Sequence, residues 1–211
     1  VTCLGVCTED CKTGCYKLRY FHQYPQMNAS FFGKQAVRWA FATGEQVAKE
    51  LSRKRKDISR ARAPKDGELF TTEFDLRKAK EIFQATPDTH WMVVTRAWQL
   101  ADMRRMIERE IMTLPNVSLL ASTDSTTTAA QDQVLHDCGW STLRAFDDDA
   151  KTTPSGRPLI KCPKTWAKGS GVKCGNCKAG CFRASINKQV DVLLKTHSKS
   201  DTGVYGSVGD Y

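Results

Sequence analysis

The sequence predicts an α/β fold in which parallel βαβ units form a partial or complete TIM-like barrel, with cysteine-rich segments at both ends of the chain. Three observations support this prediction. Short apolar runs that are typical of strands alternate with segments of helical periodicity. The runs are continuously apolar, as a sheet covered on both faces requires. The connections between them are short, as in parallel crossover units.

In the first half of the chain, one predicted helix precedes a predicted strand, helix and strand of this pattern. Apolar residues between 32 and 51 recur at a broadly helical spacing. A short strand is predicted at 57–63, followed by a turn at 64–67. A helix capped by Thr71 or Thr72 then extends to Phe83, and residues 90–95 (HWMVVT) form a buried strand.

The second half repeats the alternation. Helices are predicted at 100–112 and 126–138, the second closed by Gly139, and strands at 117–121, 142–146 and 190–194. We expect residues 1–197 to form a single domain that binds a metal or a cluster. Residues 198–211 are rich in Gly, Ser and Asp and are predicted to be a flexible C-terminal tail.

Composition narrows the class of protein. The chain has 211 residues, of which 40% are apolar, and it contains 14 Gly and 7 Pro. These values exclude disordered and collagen-like chains. No apolar segment approaches the roughly 18 residues of a membrane span, and the first twenty residues lack the apolar core of a signal peptide. We therefore expect no membrane association and a cytoplasmic, reducing location.

The positive charge is concentrated in two segments. The chain has 32 Lys and Arg against 23 Asp and Glu, a net charge of +9. One segment holds Arg53, Lys54, Arg55, Lys56, Arg60 and Arg62. The other, residues 161–188, contains basic residues and no acidic one. Basic stripes are typical of surfaces that contact phosphate backbones, so nucleic acid is a candidate partner, with a solvated helix end as the alternative.

Eight of the nine cysteines fall into two clusters, and the second has the spacing of a metal site. It comprises Cys162, Cys174, Cys177 and Cys181, a C-x11-C-x2-C-x3-C pattern. Gly175 and Gly180 permit tight turns that direct the sulfurs inward. Thiolates at this spacing indicate zinc or an iron–sulfur cluster, whereas disulfides do not suit a reducing compartment.

The first cluster comprises Cys3, Cys7, Cys11 and Cys15. On a helix, residues four apart drift by about 40° per step, so these four sulfurs would not converge. Gly5 and Gly14 favour a loop that wraps an iron–sulfur cluster, with zinc as the alternative. Three of these cysteines could instead share a site with Cys162. Cys138 stands alone and is expected to be a small buried residue.

Several motifs together resemble the phage "gene product 88" family. The opening segments Thr2–Gly5 and Cys11–Tyr16 are similar to that family's C-P-G and C-x3-C-Y pattern. The similarity continues through residues 66–68, 94–96 and 120–124 to Cys162-Pro163 and the closing cysteines. Leu4 replaces the family's Pro, Cys7 is an additional cysteine, and Glu68 replaces Asp.

The resemblance implies a phage-type protein with a radical S-adenosylmethionine-like barrel and a cluster near the carboxyl ends of the strands. A [4Fe–4S] cluster held by three cysteines would leave one iron open to S-adenosylmethionine. Glu68, Arg96 and Asp124 would then be the candidate catalytic residues, and Arg96, Ser122 and Asp124 the candidate cofactor-binding residues. Such a protein would act in the host cytoplasm, on or near nucleic acid.

Two other functions remain compatible with the same residues. One is a nucleic-acid-binding module without enzymatic activity, braced by four-cysteine zinc sites. The other is a redox or regulatory cluster protein that modulates a host partner. The sequence leaves the substrate, the metal and the oligomeric state open.

Overall fold

The computed structural model describes residues 25–54, 59–63, 68–145, 149–166, 172, 174, 177–185 and 187–195. Seven helices and six strands are used below, numbered along the chain over these ranges. The helices are α1 (Pro25–Phe41), α2 (Gly44–Lys54), α3 (Glu73–Ala85), α4 (Ala101–Glu110), α5 (Ala129–Asp137), α6 (Pro163–Trp166) and the 3-10 turn α7 (Cys181–Arg183). The strands are β1 (Arg60–Ala63), β2 (His90–Thr95), β3 (Val117–Thr123), β4 (Ser141–Arg144), β5 (Ile160–Lys161) and β6 (Asp191–Leu193).

The strands form one six-stranded sheet in the order β1-β2-β3-β4-β6-β5, and every pairing is parallel. The predicted α/β class and parallel pairing are therefore confirmed. The sheet is open across the described residues, with β1 and β5 at its two edges. The first four strands follow chain order, as in a barrel, but β6 is inserted between β4 and β5.

Helices cover one face of the sheet, which we call the helix face. Trp91, Val93 and Leu119 point to this side and pack with buried residues of α3, α4 and α5. The apolar positions of α3 that the sequence predicts, Leu76, Ala79, Ile82 and Phe83, are all buried. Burial of such side chains, at roughly 1.5–3 kcal/mol each, makes this layer the main source of stability.

The opposite face, which we call the cysteine face, is formed by Met92, Leu120, Leu143 and Val192. Its cover is an irregular segment, residues 177–185, in which Ala179 and Ala184 are buried. Cys162, Cys177, Cys181 and Phe182 pack against the same apolar cluster. The second predicted cysteine cluster therefore forms part of the cover of the sheet.

Side-chain caps define several helix ends. Thr72 caps α3 by accepting a hydrogen bond from the amide of Asp75, as the sequence predicts. Gly139 ends α5 with φ 85°, which confirms the predicted C-cap. The single helix expected over 32–51 is wrong. A reciprocal Thr43–Gln46 cap starts a new helix at Gly44, and α1 ends at Phe41.

None of the helices in the described ranges has the length and apolar character needed to cross a bilayer. The predicted tail 198–211 and the first twenty-four residues lie outside the described ranges.

Candidate functional site

The four cysteines of the second cluster come from two parts of the chain that meet beside β6. Cys162 follows β5 directly, and its amide donates to the carbonyl of Leu193 at the end of β6, at 2.8 Å. The amide of Cys177 donates to the carbonyl of Cys174 at 3.4 Å, which closes the CxxC turn. Cys181 starts the turn α7 that packs over the sheet. The pairing of β5 with β6 therefore places Cys162 against the same apolar cluster as Cys177 and Cys181.

Gly180 provides the turn that precedes Cys181. Its φ of 94° lies in the left-handed region, where a side chain is strained. A Cβ atom at this position would also stand 3.0 Å from Cγ1 of Val190. The predicted role of Gly180 in a tight turn is confirmed, and close packing against Val190 adds to it.

The thiol of Cys181 lies close enough to the other three for their charges to affect its pKa. Burial, and after it the charges of Cys162, Cys177 and Cys174, together raise the pKa of the Cys181 thiol to about 11. Burial also raises the pKa of Cys174, while Lys164 and Arg62 act in the opposite direction. Two cations thus stand close enough to Cys174 to stabilise a thiolate there.

One hydrogen bond is already directed at a sulfur. The amide of Ala179 donates to Sγ of Cys177 at 3.4 Å. Amide donors of this kind stabilise the thiolate form of a metal-bound cysteine. The four thiols carry no disulfide, and the donor set is the one that iron–sulfur clusters and zinc prefer.

The thiols do not meet at a single point. Within the described ranges, no group of three or more His, Cys, Asp or Glu side chains has the arrangement needed to hold a metal ion. The chemistry of the four donors fits a thiolate-ligated centre, and ligation would require the sulfurs to draw together. Cys3, Cys7, Cys11 and Cys15 lie outside the described residues, so their predicted role stays a prediction.

A second group of residues lies where β2 and β3 end. Arg96 Nη2 donates to Asp124 Oδ2 at 2.6 Å, and both side chains are buried. Glu68 accepts from the hydroxyl of Thr95 and from the amide of Arg96, each at 2.6 Å. The structure thus brings together Glu68, Arg96 and Asp124. In the sequence, Arg96 lies 28 residues after Glu68, and Asp124 lies 28 residues after Arg96.

These carboxylates already have structural partners. Glu68 also accepts from the amides of Leu69 and Phe70, and Asp124 accepts from the amide and hydroxyl of Thr126. Ser122 contributes its carbonyl to the indole N–H of Trp98 at 2.9 Å. The group joins the segment after β1 to the ends of β2 and β3, and it can hold that edge of the sheet rigid.

Among the described residues, the first predicted basic stripe is divided between α2 and β1. Arg53 lies on α2 and lines a groove of about 840 Å³ between α1, α2 and α3. Lys54 is the last residue of α2, and Arg55 and Lys56 lie outside the described residues. Arg60 and Arg62 pair in register with His90 and Met92. Because Met92 belongs to the cysteine face, these two arginines lie on that side of the sheet.

A buried ionic group that the sequence does not indicate joins α5, β6 and the segment around Arg157. Arg157 donates to Asp191 at 2.9 Å and to Asp132 at 3.3 Å, and both carboxylates are buried. Asp132 also accepts from the amide and hydroxyl of Ser155. The partners are 25 and 34 residues from Arg157, so no local pattern could have revealed them.

Across the described residues, the fold and the site define a class: an open parallel α/β sheet with a cysteine-lined cover on one face. Comparison of the chain with known protein families, with curated proteins and with solved structures found no match. The resemblance to the gene product 88 family therefore stays a prediction based on the motifs.

Proposed function

We propose that the chain is an iron–sulfur protein in which Cys162, Cys174, Cys177 and Cys181 hold a [4Fe–4S] cluster against the cysteine face of the sheet. The observation that supports this most directly is that Cys162, Cys177 and Cys181 pack against the same apolar cluster of the sheet. Four thiols that are gathered in one place without disulfides are the ligand set that such a cluster needs.

A cluster and a single zinc ion place different demands on the same four thiols. Zinc holds four sulfurs at about 2.3 Å around one point. A four-iron cluster spreads its ligands over four metal atoms, so the sulfurs stand farther apart. Metal and sulfide analysis distinguishes the two centres.

The groups around the four thiols suit the negative charge of such a cluster. Four thiolates around a doubly charged metal core leave about −2. Arg62 and Lys164 act on Cys174, and the Ala179 amide points at Cys177. These groups would offset the charge and hold the ligands in place. Four ligands also occupy every iron, which favours electron transfer or structural bracing at this position.

The radical S-adenosylmethionine-like activity in a partial barrel is a separate part of the proposal. It depends on Cys3, Cys7, Cys11 and Cys15, since a cluster with an open iron supplies the electron that cleaves the cofactor. The Glu68–Arg96–Asp124 group at the carboxyl ends of β2 and β3 is where a cofactor is expected in a parallel sheet. The proposal also places the protein in a reducing cytoplasm, which thiolate ligands require.

The test is metal and sulfide analysis of the full chain after anaerobic purification. We expect brown protein that contains iron and acid-labile sulfide. The variant Cys174→Ser/Cys177→Ser should lose about four iron atoms per chain. Cys138→Ser is the matched control, because Cys138 packs against the core of the helix face. Colourless protein with bound zinc would refute the cluster, and metal content unchanged by the double variant would refute the ligand assignment.

A further inference from the structure

Cationic and aromatic side chains are grouped where β5 and β6 end. Lys161 Nζ lies 4.2 Å from the centre of the Trp166 ring, and Lys195 Nζ lies 5.7 Å from it. Both lysines are exposed and Trp166 is half-buried. The indole N–H donates to the carbonyl of Leu193 at 3.2 Å, so the ring is fixed to the sheet.

The positive surface extends from this tryptophan toward β1. Lys164 lies on α6 with Trp166 and acts on the thiol of Cys174, and Arg62 on β1 acts on the same thiol. We call Arg62, Lys161, Lys164 and Lys195 the basic rim. Next to it, the guanidinium of Arg60 lies 5.9 Å from the centre of the Phe182 ring.

Few acidic residues near the basic rim in the sequence offset its positive charge. From residue 160 to residue 195 the only acidic residue is Asp191. Its carboxylate is buried and bound to Arg157 and Thr142 on the helix face. Fixed aromatic rings beside exposed cations are the arrangement with which proteins bind single-stranded nucleic acid, since cations meet phosphates and rings stack on bases.

We propose that the basic rim and Trp166 bind single-stranded nucleic acid. Lys161 and Lys195 contact phosphates, and a base stacks on Trp166 when these flexible lysines turn toward the backbone. The Trp166 ring favours nucleic acid over an acidic protein. An acidic protein would need only the cations and has no base to stack on the ring. Lys161, Lys195 and Trp166 are not among the proposed metal ligands, so failure of the nucleic-acid proposal can be distinguished from failure of the metal proposal.

The test measures binding of a fluorescent oligothymidine to the full chain over a range of salt concentrations. We expect dissociation constants within about 10⁻⁶–10⁻⁴ M at physiological salt. Lys161→Gln/Lys195→Gln should reduce the slope of log affinity against log salt by about 1.4, or about 0.7 for each lost phosphate contact. The control Arg77→Gln/Arg105→Gln removes equal charge from α3 and α4, where both arginines are exposed.

The aromatic contribution needs its own variants. Trp166→Leu should weaken binding at least about fivefold with an unchanged salt slope, and Trp166→Phe should recover part of the loss. Metal content and circular dichroism of each variant report on folding. No binding at about 100 µM protein, equal effects of the lysine and control variants, or equal affinity for a polyglutamate peptide would overturn the proposal.

Discussion

Arg96 at the end of β2 donates to Asp124 at the end of β3 over 2.6 Å, in a setting where Asp124 is fully buried and Arg96 is 7% exposed. Neighbouring parallel strands are thus joined by a charge pair at the edge where their carboxyl ends meet. Removing one partner from such a pair leaves the other charge buried, which costs far more than the pair contributes.

Asp124→Ala should therefore lower the free energy of unfolding by about 3 kcal/mol or more. Urea unfolding monitored by circular dichroism measures this loss. Asp102→Ala is the matched control, because Asp102 and Arg105 pair while both side chains are well exposed, and it should cost less than about 1 kcal/mol. Similar losses of unfolding free energy in Asp124→Ala and Asp102→Ala would show that the buried Arg96–Asp124 pair contributes no more to stability than an exposed pair.

Asp132 predicts a decline of stability in acid. Burial raises the pKa of Asp132, but hydrogen bonds from Ser155 and Thr153 and the charge of Arg157 outweigh burial and leave the pKa below 3.8. The stability that Asp132 contributes is thus present above pH 3.8 and is lost as the pH falls through its lower folded pKa.

Comparison of unfolding free energies of the wild type and Asp132→Asn between neutral and acidic pH tests this. The wild type should lose stability more steeply below pH 3.8, by up to about 1.4 kcal/mol per pH unit. Parallel curves for the two proteins would contradict the assignment.

Gly180 and Gly156 provide a matched pair, since their φ angles are 94° and 93°. A Cβ at Gly156 meets nothing within 4 Å, whereas one at Gly180 stands 3.0 Å from Val190. Gly156→Ala should cost about 1–2 kcal/mol for the backbone alone, and Gly180→Ala should cost more. Thermal and urea unfolding measure both.

The Gly180 variants also test how closely the turn before Cys181 packs against Val190. If close packing at Val190 is the added cost, the double variant Gly180→Ala/Val190→Ala should recover part of the extra loss. An equal or smaller loss in Gly180→Ala would show that the turn before Cys181 tolerates a side chain.

Cys181 should react slowly in the metal-free protein. Its pKa of about 11 stands above the ordinary 9.0, so at neutral pH the thiolate fraction is about 100-fold lower than for an ordinary cysteine. Alkylation by iodoacetamide, followed by peptide mass spectrometry, should show a rate that still rises above pH 9. In urea the rate should level off near pH 9, and the same profile in the folded protein would refute the shift.

Much of the sheet could be predicted because its central strands are continuous apolar runs. Residues 90–95 and 117–121 coincide with β2 and with most of β3, and Thr72 and Gly139 fall where the caps were expected. The break between α1 and α2 was also readable, since Thr43 and Gln46 stand at the spacing of a reciprocal cap.

The remaining features depend on long-range contacts that periodicity does not encode. Apolar β2 and β3 require cover on both faces, but nothing in their pattern says that residues 177–185 supply it. The ionic group around Arg157 could not be predicted because its two carboxylates come from α5 and β6. The open order, with β6 between β4 and β5, likewise follows from pairing that only the folded chain shows.

The insertion of β6 has a consequence for synthesis on the ribosome. The edge of β4 finds its partner only when β6 has emerged, since Thr142 bonds Asp191 across 49 residues. A nascent chain must therefore carry an unpaired strand edge while Cys162, Cys174, Cys177 and Cys181 are translated. The four cysteines of the second cluster therefore leave the ribosome before β6 completes the sheet.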